Sequence, residues 1–491
     1  MNDPEKSDLG IVAVKPTNKA GRPVAEWAER RPGTKGNAGQ QRMHRTQGRD
    51  RMSQSLDRVR KAARLRKKDR FTALFHHITV DALRTAFYAL RRKAAAGMDG
   101  MRWQDYETEL EPRLEDLHNR VCRGAYRPQP SRRTYIPKAD GSQRPLAIAA
   151  LDDKIVQGAT VMVLNAIYEG DFCGFSYGFR PGRGPHDALD ALCVAIDHRK
   201  VNWIIDADIQ NFFGAVSQEW LVRFLEHRIG DKRIIRLIQK WLKAGILEDG
   251  VVTVEDKGTG QGSVISPLLG NIYLHYVLDL WAKRWRQREA TGDMIIVRYA
   301  DDLVVGFEHE DDARRFLDAM RARLEEFMLS LHPDKTRVIE FGRRAAANRR
   351  KSGLGKPETF MFLGLTFICG KSRSGRFQLQ RKTRGDRMRT KLRTIKEELW
   401  RRLHWPIPEQ GKWLKQIVNG HFAYFAVPTN ARALAAFRHH VEELWRRTLR
   451  RRSQKDGFTW DRTTKVADHW LPKPRILHPW PDVRFAVKHP R

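Results

Sequence analysis

The stretch IIVRYADDLVVGF, Ile295–Phe307, leaves a chain little freedom. Two apolar runs of strand length, rich in Val and Ile, flank Ala300, Asp301 and Asp302. The runs read as two strands around a tight turn. Two adjacent carboxylates then stand at a hairpin tip, where they repel. A divalent cation between them removes the repulsion. Mg²⁺ suits that position, because it takes oxygen ligands and is usually held by one or two carboxylates plus substrate phosphates. The competing reading is a solvated turn, where Asp is common.

A second acidic strand end weighs against the bland reading. In WIIDADIQNFF, Trp203–Phe213, a period of two puts Asp206 and Asp208 on one face, and Phe212 and Phe213 follow. An acidic strand end beside an acidic hairpin tip is what two-metal phosphoryl transfer needs, with ions roughly 3.5–4 Å apart.

Charge points the same way. Lys and Arg number 92 against 58 acidic residues, a net +34. Such an excess implies a polyanionic partner, nucleic acid first and an anionic membrane surface second. No apolar run is long enough to span a bilayer, and the N-terminus has no signal-peptide pattern. The expected compartment is the cytosol. Cys122, Cys173, Cys193 and Cys369 lie far apart with no CxxC pair, so reduced thiols are favoured over a zinc site.

Along the 491 residues, 1–55 are rich in Gly, Pro, Lys, Arg and Gln and read as loosely held. Leu56–Leu74 is helical in pattern and strongly basic. Arg132–Ile148 reads as a hairpin turning at Ala139–Gly141, and GTGQGSVISP as a Gly-rich loop before a long helix. Phe360–Phe367 suggests a further strand. After Gly370 the character changes: residues 371–404 hold thirteen basic residues against three acidic ones, and three helical stretches run to about Arg452. A Pro/Trp-rich basic tail, 453–491, closes the chain.

Seven blocks in order, IPKADGSQRPL, YGFRPGRGPHDAL, DADIQNFF, GTGQGSVISPLLGNIYLHYVLD, RYADDLVVGF, LHPDKTRVIEFG and FMFLGLTF, make the chain resemble the reverse transcriptases encoded by group II introns, the intron maturases. The resemblance runs from about residue 55 to 450. It implies an α+β right-hand polymerase: fingers and palm over 56–370, then an α-helical thumb or maturase domain over 371–452. Asp208, Asp301 and Asp302 match the palm carboxylates, which ligate two Mg²⁺ ions, with Mn²⁺ as the substitute ion. Lys138 and Arg144, on opposite arms of the hairpin, match residues that contact the triphosphate. Phe213 matches the wall against a 2′-hydroxyl, one member of the Phe doublet being core and the other the gate. Gln261 lines the nucleotide pocket. Arg180 either faces the template or locks its own loop. Leu363-Gly364 matches the segment holding the primer end, and Lys335 is read as structural.

Two departures stand out. The family usually continues the first palm block as Phe-Phe-Asp, where this chain has Gly214. No Cys/His constellation of an appended endonuclease follows the helical region, so an endonuclease-lacking type is expected.

The function implied is RNA-directed DNA polymerisation joined to binding a parent group II intron RNA and assisting its splicing and mobility. The partners are that intron RNA, an RNA template with a DNA primer, deoxynucleoside triphosphates and target DNA, with no membrane, in a bacterial cytoplasm or nucleoid. Arg384, Arg387, Lys391 and Arg393 are the candidate RNA-binding residues. Basic helices are expected before residue 70 and after 370, apart from the carboxylates. Two other readings stay open: mainly an RNA-binding splicing factor, or a host-adopted relative in DNA repair or phage defence. An intron flanking the reading frame decides between them.

Overall fold

The computed structural model describes residues 54–137, 143–248, 251–254, 256–452 and 459–488. Most of the segment expected to be loosely held, residues 1–53, lies outside them, as do Lys138 and the turn at 139–141. Residues 54–65 are helical, a shorter helix than the Leu56–Leu74 pattern predicts.

The strands expected within 132–148, 203–213 and 295–307 are present, and others that the sequence reading did not name join them. β1 (Ser131–Pro137) and β2 (Gln143–Ile148) form the expected antiparallel hairpin. β3 (Trp203–Asp208) lies in another sheet. β4 (Ile246–Glu248) pairs parallel with β1, and β5 (Val251–Thr253) pairs with β4. β6 (Met294–Tyr299) and β7 (Asp302–Phe307) turn at Ala300-Asp301, and β7 pairs antiparallel with β3. β8 (Arg337–Glu340) takes the other edge of β3, giving the order β6-β7-β3-β8.

That sheet is buried on both faces, which explains why its strands read as unbroken apolar runs. Ile296 and Val305 enter one core with Phe307, Phe316 and Trp285. Their neighbours Ile295, Val297 and Val304 enter a second core with Leu189, Ile196 and Phe341. Each such side chain, fully buried, contributes about 1.5–3 kcal/mol.

A third sheet is made of β9 (Phe360–Phe362), β10 (Leu365–Lys371) and β11 (Phe377–Thr383). Sheet structure thus continues past Gly370, where the sequence reading placed the change to basic helices. Leu379, Arg381 and Thr383 are buried at alternate positions of β11. The helices begin at Gly385. Gly385–Arg401, Ile407–Phe425, Ala431–Arg450 and Trp460–Trp470 surround Ile395, Leu399, Leu414, Val418, Phe437 and Trp445. Buried Trp445 donates its indole N–H to Gln410 Oε1 at 2.8 Å, so the one polar atom of the largest side chain there is paired.

The Pro/Trp-rich tail contains two helices, Trp460–Trp470 and Pro481–Lys488, and the second lies on helix Pro185–His198. Among the described residues no helix is long and apolar enough to cross a membrane. The content is α+β.

Candidate active site

The hairpin tip is held from beneath by Arg298, which the surrounding protein covers completely. Its guanidinium donates to Asp279 at 2.7 and 2.6 Å, to Asn271 Oδ1 at 3.0 Å, to Ser176 Oγ at 2.7 Å and to the Ala300 carbonyl at 2.8 Å. All five donors of the guanidinium are used. Ala300 itself has φ +58, a left-handed conformation that a non-glycine residue adopts at a cost. The carbonyl bond to Arg298 holds it there.

Gly178 completes the support. A Cβ on Gly178 would lie 2.2 Å from the Ala300 nitrogen, so only glycine lets the two backbones meet. The Gly178 carbonyl accepts from Asn271 Nδ2 at 2.7 Å. The YGFRPG block, the long helix after GTGQGS and the hairpin are therefore tied at one point. Sequence reading named none of Arg298, Asp279, Asn271, Ser176 and Gly178. The available signal was a lone Arg inside an apolar strand.

The β3–β7 register sets Asp208 opposite Asp302, next to Asp301 at the turn. Burial pushes the Asp301 carboxyl up, and the charge on Asp208 adds to this; its own backbone N–H, Arg144 and Arg298 oppose it. Asp302 faces solvent at the tip, yet protein crowds around it. That desolvation, with Asp301, Asp208 and Asp206 repelling, pushes its carboxyl to about 7. Asp206 is pushed to about 6, by burial first and by Asp208, against the pull of Arg337. Arg337 lies 3.9 Å from it. Three carboxyls, Asp206, Asp301 and Asp302, are thus pushed up in the region they share with Asp208, and a divalent cation relieves the cost of their negative charge. Among the described residues no three His, Cys, Asp or Glu side chains already converge as metal ligands. The oxygen donors still fit Mg²⁺, which needs one or two carboxylates and completes its shell with water and phosphates.

Lys335, read from sequence as structural, reaches the carboxylates. Its exposed ammonium sits 2.8 Å from Asp208 Oδ2. Arg180 goes the other way. It is buried and donates to Glu169 at 3.0 Å and to the Cys173 and Ser176 carbonyls at 2.8 and 2.7 Å. Its guanidinium locks its own loop and does not face a template.

Arg144 is exposed on β2, on the side felt by Asp301. Ala147, on the same strand, donates to the Gln261 carbonyl at 2.6 Å, and Gly262 (φ +114) packs so close that a Cβ would meet the Ala147 oxygen at 2.8 Å. These contacts set Gln261 beside the β2 strand. Phe212 is buried, whereas Phe213 is half-buried and packs edge-on against it with ring centroids 5.1 Å apart. At Gly214 a Cβ would meet the Asn211 amide at 2.6 Å, so Asn211 occupies the space beside it.

The helical region approaches the carboxylates from the other side. Tyr424 donates its hydroxyl to the Leu363 carbonyl at 2.9 Å, bridging helix Ile407–Phe425 to the β9–β10 turn. Arg384, half-buried, pairs with Asp386 at 2.7 Å and draws the Asp206 carboxyl down. Exposed Arg387 does the same to Asp302. Lys391 and Arg393 are exposed further along the helix. The separation between carboxylates and basic helices expected from sequence therefore fails at the start of this helix.

Residues 136–367 match the family model described as Reverse transcriptase (RNA-dependent DNA polymerase). The chain is 31% identical over 340 residues to Protein YkfC of Escherichia coli (strain K12), an alignment covering 62% of this chain and 84% of that protein. It is 33% identical over 234 residues to the Group II intron-encoded protein LtrA of Lactococcus lactis subsp. cremoris, covering 46% of this chain and 39% of LtrA. To Nuclear intron maturase 3, mitochondrial, of Arabidopsis thaliana it is 26% identical over 225 residues, 40% of this chain and 31% of that one.

Proposed function

Because this chain belongs to the group II intron-encoded reverse transcriptase and maturase family, we propose that it copies RNA into cDNA and binds a parent intron RNA to assist its splicing and mobility. One observation carries the catalytic part: a β3–β7 register that sets Asp208 against Asp302 beside Asp301, on a tip clamped by Arg298. In this reading the β6-β7-β3-β8 sheet is the palm, the β1–β2 hairpin belongs to the fingers, and the helices from Gly385 are the thumb.

Asp208 and Asp301 would hold two Mg²⁺ ions, with Asp302 supporting the second position. Mg²⁺ held there would supply activation of the primer 3′-hydroxyl and charge balance on the triphosphate. Arg144, with Lys138 across the hairpin, grips the phosphates, Arg bidentately. Phe213 walls off a 2′-hydroxyl while Phe212 stays in the core. Gln261 lines the nucleotide pocket. The Leu363-Gly364 turn, tethered by Tyr424, supports the primer end. Arg387, Lys391 and Arg393 lie along RNA phosphates, a task that asks for exposed charge and not for a fixed pocket. The remaining partners are deoxynucleoside triphosphates and a DNA target, in a bacterial cytoplasm.

Asp301→Ala tests the assignment. Extension of a DNA primer on an RNA template is expected to disappear while the variant keeps its thermal unfolding midpoint. Substantial cDNA synthesis by that variant overturns the reading.

A further inference from the structure

We infer that the C-terminal segment 476–488 is a positioning strap: it sets the helical bundle against the carboxylate sheet and thereby governs how long a primer–template is held between additions. The inference rests on the polymerase reading for its consequence, and on the following contacts for its geometry.

The segment grips two bodies. Its helix, Pro481–Lys488, lies on helix Pro185–His198, whose inner face belongs to the core shared with the carboxylate sheet. Arg484 is 3.4 Å from Asp190 and 3.8 Å from Asp187, and Asp482 is 3.0 Å from His198. Phe485 packs against that same core. The preceding residues hold the other body. The N–H groups of Leu477 and His478 both donate to the Ala426 carbonyl, at 2.9 and 3.1 Å, just where bundle helix Ile407–Phe425 ends. His478 Nε2 donates to the Ala423 carbonyl at 2.8 Å. Arg484 Nη1, 3.1 Å from His478 Nδ1, joins the two grips to each other.

The strap also touches the support of the β9–β10 turn. The His478 ring stacks on His186 at 4.0 Å, and His186 lies 5.1 Å from the Tyr424 ring. Tyr424 is the residue bonded to Leu363. A shift of the strap therefore reaches the turn assigned to the primer end by way of the His186 and Tyr424 rings.

The bundle takes nothing from the segment for its own core, and the sheet core takes only the half-buried Phe485. The buried residues of the bundle all lie between Ile395 and Leu471. The carboxylate tip is fastened by Arg298 from within. Loosening the strap is thus expected to free the angle between two intact bodies. Bundle and sheet core also meet directly, at Val427 and Phe425 and through Thr429 and Asn430, which bond to Arg381 and Thr383 of β11. The strap adds its polar bonds to that junction.

The test uses full-length Arg484→Ala and Arg484→Lys. Three quantities are read: the rate of the first nucleotide addition in a single turnover on saturating primer–template, the product length from one binding event in the presence of a trap, and amide hydrogen exchange over residues 420–426 and 476–478. Arg484→Ala is expected to shorten the single-encounter product several-fold and to raise exchange at both places. The first-addition rate stays at the wild-type level. Arg484→Lys, which keeps a cation beside Asp187 and Asp190, is expected to restore most of the length. Unchanged product length in the Ala variant overturns the inference. So does a parallel fall of first addition, length and melting temperature that Lys does not rescue, since that describes a general brace of the fold. If the wild type itself extends no primer, the polymerase reading fails, and unchanged exchange at 420–426 then overturns the strap independently.

Discussion

The hairpin tip and helix Gly385–Arg401 both present charge to the same region, but they hold it in opposite ways. At the tip, every donor of Arg298 has a protein partner and the backbone is forced into a left-handed turn. Along the helix, Arg387, Lys391 and Arg393 stand in solvent, while Met388, Leu392, Ile395 and Leu399 face the bundle core. Chemistry at a phosphate needs carboxylates placed to within a fraction of an ångström, so the fold over-determines them. Holding a phosphate backbone needs only exposed cations on a rigid face. The charge of Arg387 is felt at the Asp302 carboxyl, so the two styles of construction act on one region and are not two separate modules.

The largest expected effect comes from breaking the tip. Arg298→Leu removes five hydrogen bonds and leaves Asp279 buried without its ion partner. Removing one member of a buried pair costs about 3–5 kcal/mol, and primer extension should vanish with it. Adding Asp279→Leu sharpens the point. Replacing a whole buried pair by apolar side chains is often close to neutral, so the double variant is expected to regain much of its melting temperature. It should still fail to extend primers, because the Ala300 carbonyl and Asn271 no longer have their donor. Recovery of extension in the double variant means that Arg298 only balances charge and does not aim the tip.

The next effect separates holding from chemistry. Arg387, Lys391 and Arg393 changed together to Ala should weaken binding of structured RNA. They should also lower the slope of log affinity against log salt by roughly 0.7–0.9 for each phosphate that is no longer neutralised. With on the order of 6–10 phosphates neutralised by the wild type, its affinity falls by about 10³–10⁵ between roughly 50 and 200 mM salt. Asp302→Asn should do the reverse, ending cDNA synthesis while leaving RNA binding intact. Because the charge of Arg387 is felt at Asp302, the triple variant is expected to lose part of its extension even at low salt. If both variants lose both activities in parallel, the contrast between tip and helix is wrong.

What the sequence made legible was whatever short-range pattern carries. The hairpin and the facing of Asp206 and Asp208 follow from strand period and local apolar runs; the division of Phe212 from Phe213 came only from the family resemblance. What it hid was partnership at a distance. Ser176 and Arg298 are 122 residues apart in the chain, and nothing local to either announces the other. Arg180 had two readings because a buried and an exposed guanidinium look alike in sequence; its bonds to Glu169 and two carbonyls decide it. Nothing local to Lys335 announces its partner either, since Asp208 lies 127 residues away. β11 was a different failure. FQLQRKT alternates as a strand should, but the surrounding positive charge drew the eye to phosphate binding and away from the period. The two helices after residue 459 were masked by Pro and Trp, which mark the segment between them and not the segment as a whole.

The smallest effect lies outside both regions and tests whether they matter specifically. Asp231 caps helix Lys232–Leu242, accepting from Arg233 N at 2.9 Å, and accepts from the N–H groups of Leu74 and Phe75, both at 2.8 Å. Burial works to raise its carboxyl, but these backbone donors outweigh it and hold it below the ordinary 3.8. A carboxyl depressed in the folded state stabilises the fold fully above the ordinary value. That contribution disappears as pH falls through the depressed one. Asp231→Asn keeps an acceptor oxygen and loses the charge, at a cost of at most about 1–2 kcal/mol. Melting temperatures of wild type and variant, followed from neutral pH downward, should therefore differ at neutral pH and converge in acid. Extension at a temperature where both are folded should be equal. If Asp231→Asn instead loses extension as the Arg298 variants do, activity simply tracks overall stability, and the tip has no special claim to being the place where position is held.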